Sequence, residues 1–434
     1  MQRLRVSNNK RFLVQADGTP FFWLADTAWE LFHRCNLAEA ELYLRDRAAK
    51  GFTVIQAVVL TECDGLHDLG HAGALPLDND DPTTPNETYF AHVDAIVKLA
   101  NALGLVIAML PTWGDKWNKK WGIGPEVFTP ENAQVYGRWL GKRYKDADLI
   151  WMLGGDRPVE TETHRAILDK MAFGLHEGDG GVHLHTFHPP GGQGSVNFWP
   201  WETRWVDFHA WQSGHGRNTA NYNSIATDYA RTPVKPVLDS EPGYEDHPAG
   251  FNLDNGYLDD YDCRKSAYWA VFAGACGHTY GCHPIWQMWL PGRHAHSWCR
   301  RPWTEALHLP GSGQLQHLKN LLLSRPYLSR IPDQSLIVGE SGDTTKHVQA
   351  TRDADGSYAF VYFPGPTGAE LNLERLSSQT LTLWWYNPRT GVAQQDTTIP
   401  RTGTHKVTPP AVGPDWVLVL DDAARGFGRP GTIR

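Results

Sequence analysis

The sequence predicts an α/β fold, a (β/α)8 TIM barrel, followed by a small antiparallel β-sandwich. Three observations carry that prediction. Up to about residue 327, short apolar runs of strand type alternate with longer segments of helical period, the pattern of βα units and a parallel sheet. From about residue 328 the texture changes to alternating strands broken by turn residues. The chain has 434 residues, more than one hydrophobic core of ordinary size serves, so a large domain and a smaller one are expected.

The predicted barrel strands are "FFWLADT" (21–27), "FTVIQAVVL" (52–60), "GLVIAMLP" (104–111), "DLIWMLGGD" (148–156), "GVHLHTFHP" (181–189), "WVDFHAWQS" (205–213), "VKPVLDSEP" (234–242) and "ACGHTYGCH" (275–283). Helices are predicted over 37–50, 88–103, 130–145, 160–176, 219–231, 262–274 and 313–324. The first shows the logic: Leu37, Ala40, Leu44 and Ala48 share one face, and Gly51 stands where a glycine ends a helix. Between the fifth and sixth strands, "GGQGSVNFWPWETR" offers at most a short helix. The second domain is expected over 328–422, with hairpins at Asp353-Ala354-Asp355-Gly356 and around Asn387-Pro388. Residues 423–434 are expected to form a disordered tail.

Composition narrows the function classes. A formal charge of -8 gives no basic footprint for nucleic acid. No stretch reaches the roughly 18 apolar residues of a membrane span, and the first residues lack the apolar run of a signal peptide. The expectation is a protein of the cytoplasm, with no nucleic-acid or membrane partner and no cofactor. The six cysteines are scattered without C-x-x-C spacing and read as free thiols. Nineteen tryptophans are the compositional anomaly, and many stand beside polar residues in loops, as in a wide aromatic cleft.

Active sites of such barrels lie at the C-terminal strand ends. The last polar residues there are Asp26, Glu62, Trp113, Asp156, His188, Gln212, Glu241 and His283. An interior built of Val and Leu layers does not account for that much polarity at one rim. Asp156 ends the fourth strand and Glu241 the seventh, positions that face each other across an eight-stranded barrel. Two opposed carboxyls are the minimum equipment for glycoside hydrolysis. Gly154 and Gly155 remove bulk beneath Asp156, and the apolar strand desolvates it, raising its pKa. The competing structural roles are a helix N-cap for Asp156 and an ion pair for Glu241. Asp239 shares the strand of Glu241 and is its rival as nucleophile, one layer deeper.

Two further readings belong beside this one. His183, His185, His188, His209 and His215 cluster around the fifth and sixth strands, and alternate histidines on one face suit a metal-dependent barrel hydrolase or isomerase. The C-terminal β-domain leaves room for a non-catalytic carbohydrate-binding protein. Among the tryptophans, Trp23, Trp151 and Trp269 sit inside apolar runs and read as core. In "TWGDKWNKKW" (112–121), Trp113, Trp117 and Trp121 are spaced by four, which also fits one face of a short helix packed on the barrel. Only Trp113, at the strand end, is assigned to the site from that loop. Trp29 and Trp286 join it as candidate sugar contacts.

The ordered motifs "DGTPFFWLADTAWELF", "FTVIQAVVL", "LPTWGDKW", "IWMLGGDRP", "HPPGG", "LDSEPGYE" and "GHTYGCHPIWQMW" resemble the apiosidase-like proteins of glycoside hydrolase family 140. The resemblance runs from about residue 4 to 422 and implies a barrel with a small C-terminal β-domain. It implies an exo-acting enzyme that releases apiose or another pentofuranose from a plant-type oligosaccharide or glycoside. The family's acid falls on Asp156 and its second carboxylate on Glu241. The order of acid/base after the fourth strand and nucleophile after the seventh matches retaining barrels.

Overall fold

The computed structural model describes residues 3–63 and 65–433. Its central sheet holds eight parallel strands: β1 (Trp23–Thr27), β2 (Val54–Leu60), β3 (Val106–Thr112), β4 (Leu149–Gly154), β5 (His185–His188), β6 (His209–Gln212), β7 (Val237–Asp239) and β8 (Gly277–Tyr280). Their order is β5-β4-β3-β2-β1-β8-β7-β6. The two end strands meet through single bonds, the Asp207 N–H on the His185 carbonyl at 2.9 Å and Thr186 Oγ1 on the Phe208 carbonyl at 2.7 Å. The sheet therefore closes into a barrel whose seam is the unit that lacks a full crossover helix. Gln193–Gly194 runs antiparallel to β6 there.

Helices α1 (Leu37–Ala49), α2 (Glu87–Ala102), α3 (Pro130–Tyr144), α4 (Glu162–Asp179), α5 (Asn221–Tyr229), α6 (Asp260–Phe272) and α7 (Pro310–Leu323) surround it. Local chemistry sets their ends. Asn36 Oδ1 accepts the Glu39 N–H, and Glu39 Oε2 accepts the Asn36 N–H, both at 2.9 Å, closing a capping box on α1. Helix α1 stops before Gly51, whose φ of +78° is the left-handed turn expected of it. Among the described residues no helix is long and apolar enough to cross a membrane. All six cysteines are buried and free.

The second domain has a six-stranded antiparallel sheet and a three-stranded one. The larger runs in the order β9 (Arg330–Pro332), β11 (Gln349–Asp353), β12 (Tyr358–Phe363), β17 (Trp416–Asp422), β14 (Thr380–Tyr386) and β15 (Ala393–Pro400). The smaller joins β10 (Ile337–Val338), β13 (Ala369–Asn372) and β16 (Thr404–Val407). Alternation along β12 splits its residues: Ala359, Val361 and Phe363 enter the core between the sheets, while Tyr358, Phe360 and Tyr362 join the barrel's core. Phe360 stacks on Phe272 at 6.0 Å and Tyr362 on Tyr268 at 4.8 Å. Buried Arg264 holds Asp415 with two bonds of 3.1 and 3.0 Å, and Arg325 holds Asp421 at 2.8 and 2.6 Å.

Up to residue 433 the polar C-terminal segment, expected as a disordered tail, makes defined contacts. Arg429 Nε donates to the Ala393 carbonyl at 2.8 Å, the Gly431 N–H to Ser324 Oγ at 3.1 Å, and the Arg325 guanidinium lies 4.8 Å over the Phe427 ring. Three short contacts tie a polar segment into the joint between the domains.

Candidate active site

A cleft of about 710 Å³ opens at the C-terminal strand ends. Of the residues expected there, Trp29, Glu62, Trp113, Asp156, Gln212, Glu241 and Trp286 line it. His188 is fully buried and touches it through Glu241, its Nε2 lying 2.7 Å from Glu241 Oε2. Trp29 and Trp113 wall His188 in, with ring centres at 5.2 and 5.8 Å.

Asp156 is placed by its backbone. Gly154 has a φ of +106° and Gly155 of +97°, and a Cβ on Gly155 would lie 2.6 Å from the Gly114 nitrogen. The glycines admit neighbouring backbone: the Gly114 N–H donates to the Gly155 carbonyl at 3.0 Å. Asp156 follows at φ +59°, left-handed itself, and turns its carboxyl into the cleft. It is not a helix cap; Thr161 caps α4, its side chain accepting the His164 N–H. Asp156 Oδ2 accepts from Arg157 Nη1 at 3.0 Å and from Trp121 Nε1 at 3.4 Å. Burial raises the Asp156 pKa, the charge of Glu241 adds to that, and Arg157 and His188 oppose it.

Glu241 is the electrostatic opposite. Burial pushes its pKa up, but His188 and His215 outweigh that and hold the carboxyl well below the usual range. His215 Nε2 lies 3.4 Å from the second oxygen, Oε1. The side chain is only 6% exposed, so both imidazoles act on it through little water. A third carboxyl, Glu62, sits 3.6 Å from Arg157 Nη2, and burial drives its pKa up to about 8 despite that guanidinium. The cleft thus holds one carboxyl kept ionised and two with raised proton affinity.

Two expected contacts lie elsewhere. Asp26 does not reach the cleft: it is fully buried on the helix side of β1, where Arg47 Nε at 2.5 Å and Tyr43 Oη at 2.7 Å hold its Oδ2. His283 is also fully buried. Its Nε2 lies 3.0 Å from the His296 and Ser297 carbonyls, and its Nδ1 accepts the Trp286 indole N–H at 3.1 Å. That pattern fixes a neutral imidazole protonated on Nε2, and burial lowers its pKa to about 4. His283 positions Trp286 rather than meeting the cleft itself. Asp239 lies under the site, bound by Ser213 Oγ at 2.7 Å and Asn221 Nδ2 at 2.9 Å.

The five histidines around β5 and β6 do not converge. His183 lies on Asp179 at 2.9 Å, His185 is buried with its pKa lowered to about 4, and His209 stacks on Trp201 at 4.2 Å. Among the described residues no group of three His, Cys, Asp or Glu side chains has a metal-holding arrangement. His188 and His215 serve Glu241 instead. Nor do the three spaced tryptophans share a helix face: Trp113 and Trp117 are buried, while Trp121 is 62% exposed at the cleft. Residues 114–116 form a single tight turn between Trp113 and Trp117.

Sequence reasoning missed Trp121, Tyr244, His247, Phe251 and Ser297, which line the cleft from irregular loops. One signal was present. His215 lies between Gly214 and Gly216, and glycines flanking a polar ring mark a place of close approach.

Known proteins match the chain over both of its domains. Residues 7–329 match the family described as "Apiosidase-like, catalytic domain", and residues 331–421 match "Putative collagen-binding domain of a collagenase". A solved structure named "Glycoside hydrolase" is 32% identical, with a TM-score of 0.90 and 98% of each chain covered. A glycoside hydrolase family 5 structure from Bacteroides vulgatus is 31% identical, with a TM-score of 0.90 over 99% of this chain and 95% of that one. A structure titled "a putative glycoside hydrolase from Bacteroides vulgatus", at 14% identity and a TM-score of 0.69, shares the fold over 97% of this chain and 82% of its own. No curated protein matches the chain.

Proposed function

The chain belongs to the apiosidase-like family, a family of glycoside hydrolases, and from that premise we propose that it releases a terminal sugar from a plant-type oligosaccharide or glycoside with retention of configuration. The observation that carries the reading is the split in proton affinity between two carboxyls of one cleft, Asp156 raised and Glu241 lowered. An acid must keep its proton near neutral pH, and a nucleophile must have lost it.

Asp156 gives its proton to the glycosidic oxygen as the bond from that oxygen to the anomeric carbon breaks. A Glu241 oxygen attacks the same carbon and forms a glycosyl ester. Asp156, now ionised, takes a proton from water, and the hydroxide attacks the anomeric carbon and returns Glu241 as carboxylate. His188 and His215 keep Glu241 ionised between turnovers. Exo action is supported by the depth of the cleft, since Trp29 and Trp113, each 2% exposed, close its inner end. Apiose, or another pentofuranose, is the sugar that the family implies.

The test is a panel of aryl glycosides of pentofuranoses and pyranoses, β-apioside included, with Glu241→Gln run in parallel. Release from one glycoside, lost in the variant, supports the assignment, and proton NMR of the first product formed reads its configuration. Turnover by Glu241→Gln at the wild-type rate, or a first product of inverted configuration, removes Glu241 as nucleophile.

A further inference from the structure

One rim of the cleft is built from two loops, residues 246–258 and 294–301, and they are pinned to each other. Asp246, 3% exposed, accepts from Arg300 Nε and Arg301 Nε, both at 2.7 Å. Tyr257 Oη donates to the Trp298 carbonyl at 3.3 Å, and the Arg300 guanidinium lies 3.6 Å over the Tyr257 ring. From below, His283 holds the carbonyls of His296 and Ser297. The loops carry four non-glycine residues in the left-handed region: Asp246 (φ +64°), Phe251 (+57°), Ser297 (+47°) and Trp298 (+57°). Side chains adopt that conformation at a cost, and it persists only where the surroundings enforce it.

The strain is not spent on burial. Phe251 is 54% exposed, Leu253 46% and Trp298 53%. Rigid loops that hold apolar rings out in water make a contact surface. It is continuous with the cleft, because Phe251 and Ser297 line it and Trp298 is the next residue. Exposure also rises along the cleft, from 2% at Trp29 and Trp113 to more than half at this rim and at Trp121. A terminal sugar held at the enclosed end leaves the remainder of its glycan at the rim.

We propose that Phe251 and Trp298 form a distal subsite that stacks the C–H face of a sugar ring in the leaving group, so that the preferred substrate extends at least one ring beyond the bond cleaved. The proposal rests on the hydrolase reading and goes beyond it, since it sets substrate length. Flat rings suit the apolar face of a sugar, while Arg300, 45% exposed on the same loop, supplies donors for its hydroxyls.

Methyl β-apioside and an apiose-terminated pectic oligosaccharide serve as the short and long probes, titrated by calorimetry into Glu241→Gln with and without Trp298→Ala. Loss of the ring should weaken the long probe about fivefold to tenfold and leave the short one unchanged, and Trp298→Tyr should restore the difference. Equal weakening of both probes, or of neither, overturns the subsite. Steady-state kinetics of otherwise wild-type enzyme keep the two readings apart: binding of the long probe without turnover removes the hydrolase assignment and leaves the binding result standing. Exposure of Trp298 means its truncation does not threaten folding.

Discussion

His188 Nε2 stands 2.7 Å from Glu241 Oε2, with the imidazole sealed from solvent beneath Trp29 and Trp113. Pairing with His188, and with His215 on the other oxygen, outweighs the burial that would otherwise favour the protonated carboxyl. A carboxylate that water barely reaches is kept ionised by its neighbours.

This arrangement sets the pH profile. With Glu241 lowered, the acidic limb of kcat/KM, where Glu241 gains a proton, falls below the ordinary carboxylate range. With Asp156 raised, the basic limb, where the acid loses its proton, lies above it. Replacing His188 by Gln removes the strongest of the influences that hold the Glu241 carboxyl down and should move the acidic limb up by about one to three pH units. An acidic limb that stays in place in a pH–rate titration of His188→Gln would show that the pairing does not govern Glu241.

Asp156→Asn should lower kcat/KM about 10²- to 10⁴-fold on a sugar leaving group, the usual worth of a positioned acid. A dinitrophenyl leaving group needs no protonation, so the loss there should be far smaller. Kinetics on the two substrates check this, and equal losses on both would assign Asp156 a structural role.

Arg47→Ala should destabilise the protein by about 3–5 kcal/mol, because it removes the cation paired with Asp26 in the core and leaves that carboxyl only Tyr43. Activity per folded molecule should be unchanged, since neither residue reaches the cleft. Urea unfolding and active-site titration measure the two effects separately.

Gly155→Ala sets a Cβ 2.6 Å from the Gly114 nitrogen and 3.0 Å from the Trp113 Cα, at a φ that favours glycine. Backbone, not a flexible side chain, must give way. The expected cost is about 1–3 kcal/mol of stability. The fall in kcat should be about 10²-fold, because Asp156 is displaced. A variant with lowered Tm but wild-type kcat would show that the turn does not set the acid.

How far the sequence could be read depended on whether a residue's position follows from periodicity. The eight strands, seven helices and paired carboxyls were legible because apolar runs and strand ends recur with fixed spacing. Asp26 misled because a strand's alternation has two phases, and its sequence does not say which one faces the helices; only the buried Arg47 and Tyr43 of α1 decide it. Phe251 and Ser297 were illegible because irregular loops have no period, and their placement depends on contacts distant in sequence, such as Tyr257 with Trp298. Trp121 was lost to a spacing of four that reads as a helix and is interrupted by a tight turn.

The large sheet of the second domain has apolar rows on both sides, Ala359, Val361 and Phe363 on one and Tyr358, Phe360 and Tyr362 on the other. Such a sheet cannot be detached as a portable module. Cut free, it would present a row of rings to water, and a neighbouring copy would be the nearest thing to cover them. Grafted onto another barrel, it would meet a surface without counterparts for Phe272, Tyr268 and Arg264. The two domains can be exchanged only together, with the joint as the part that has to match.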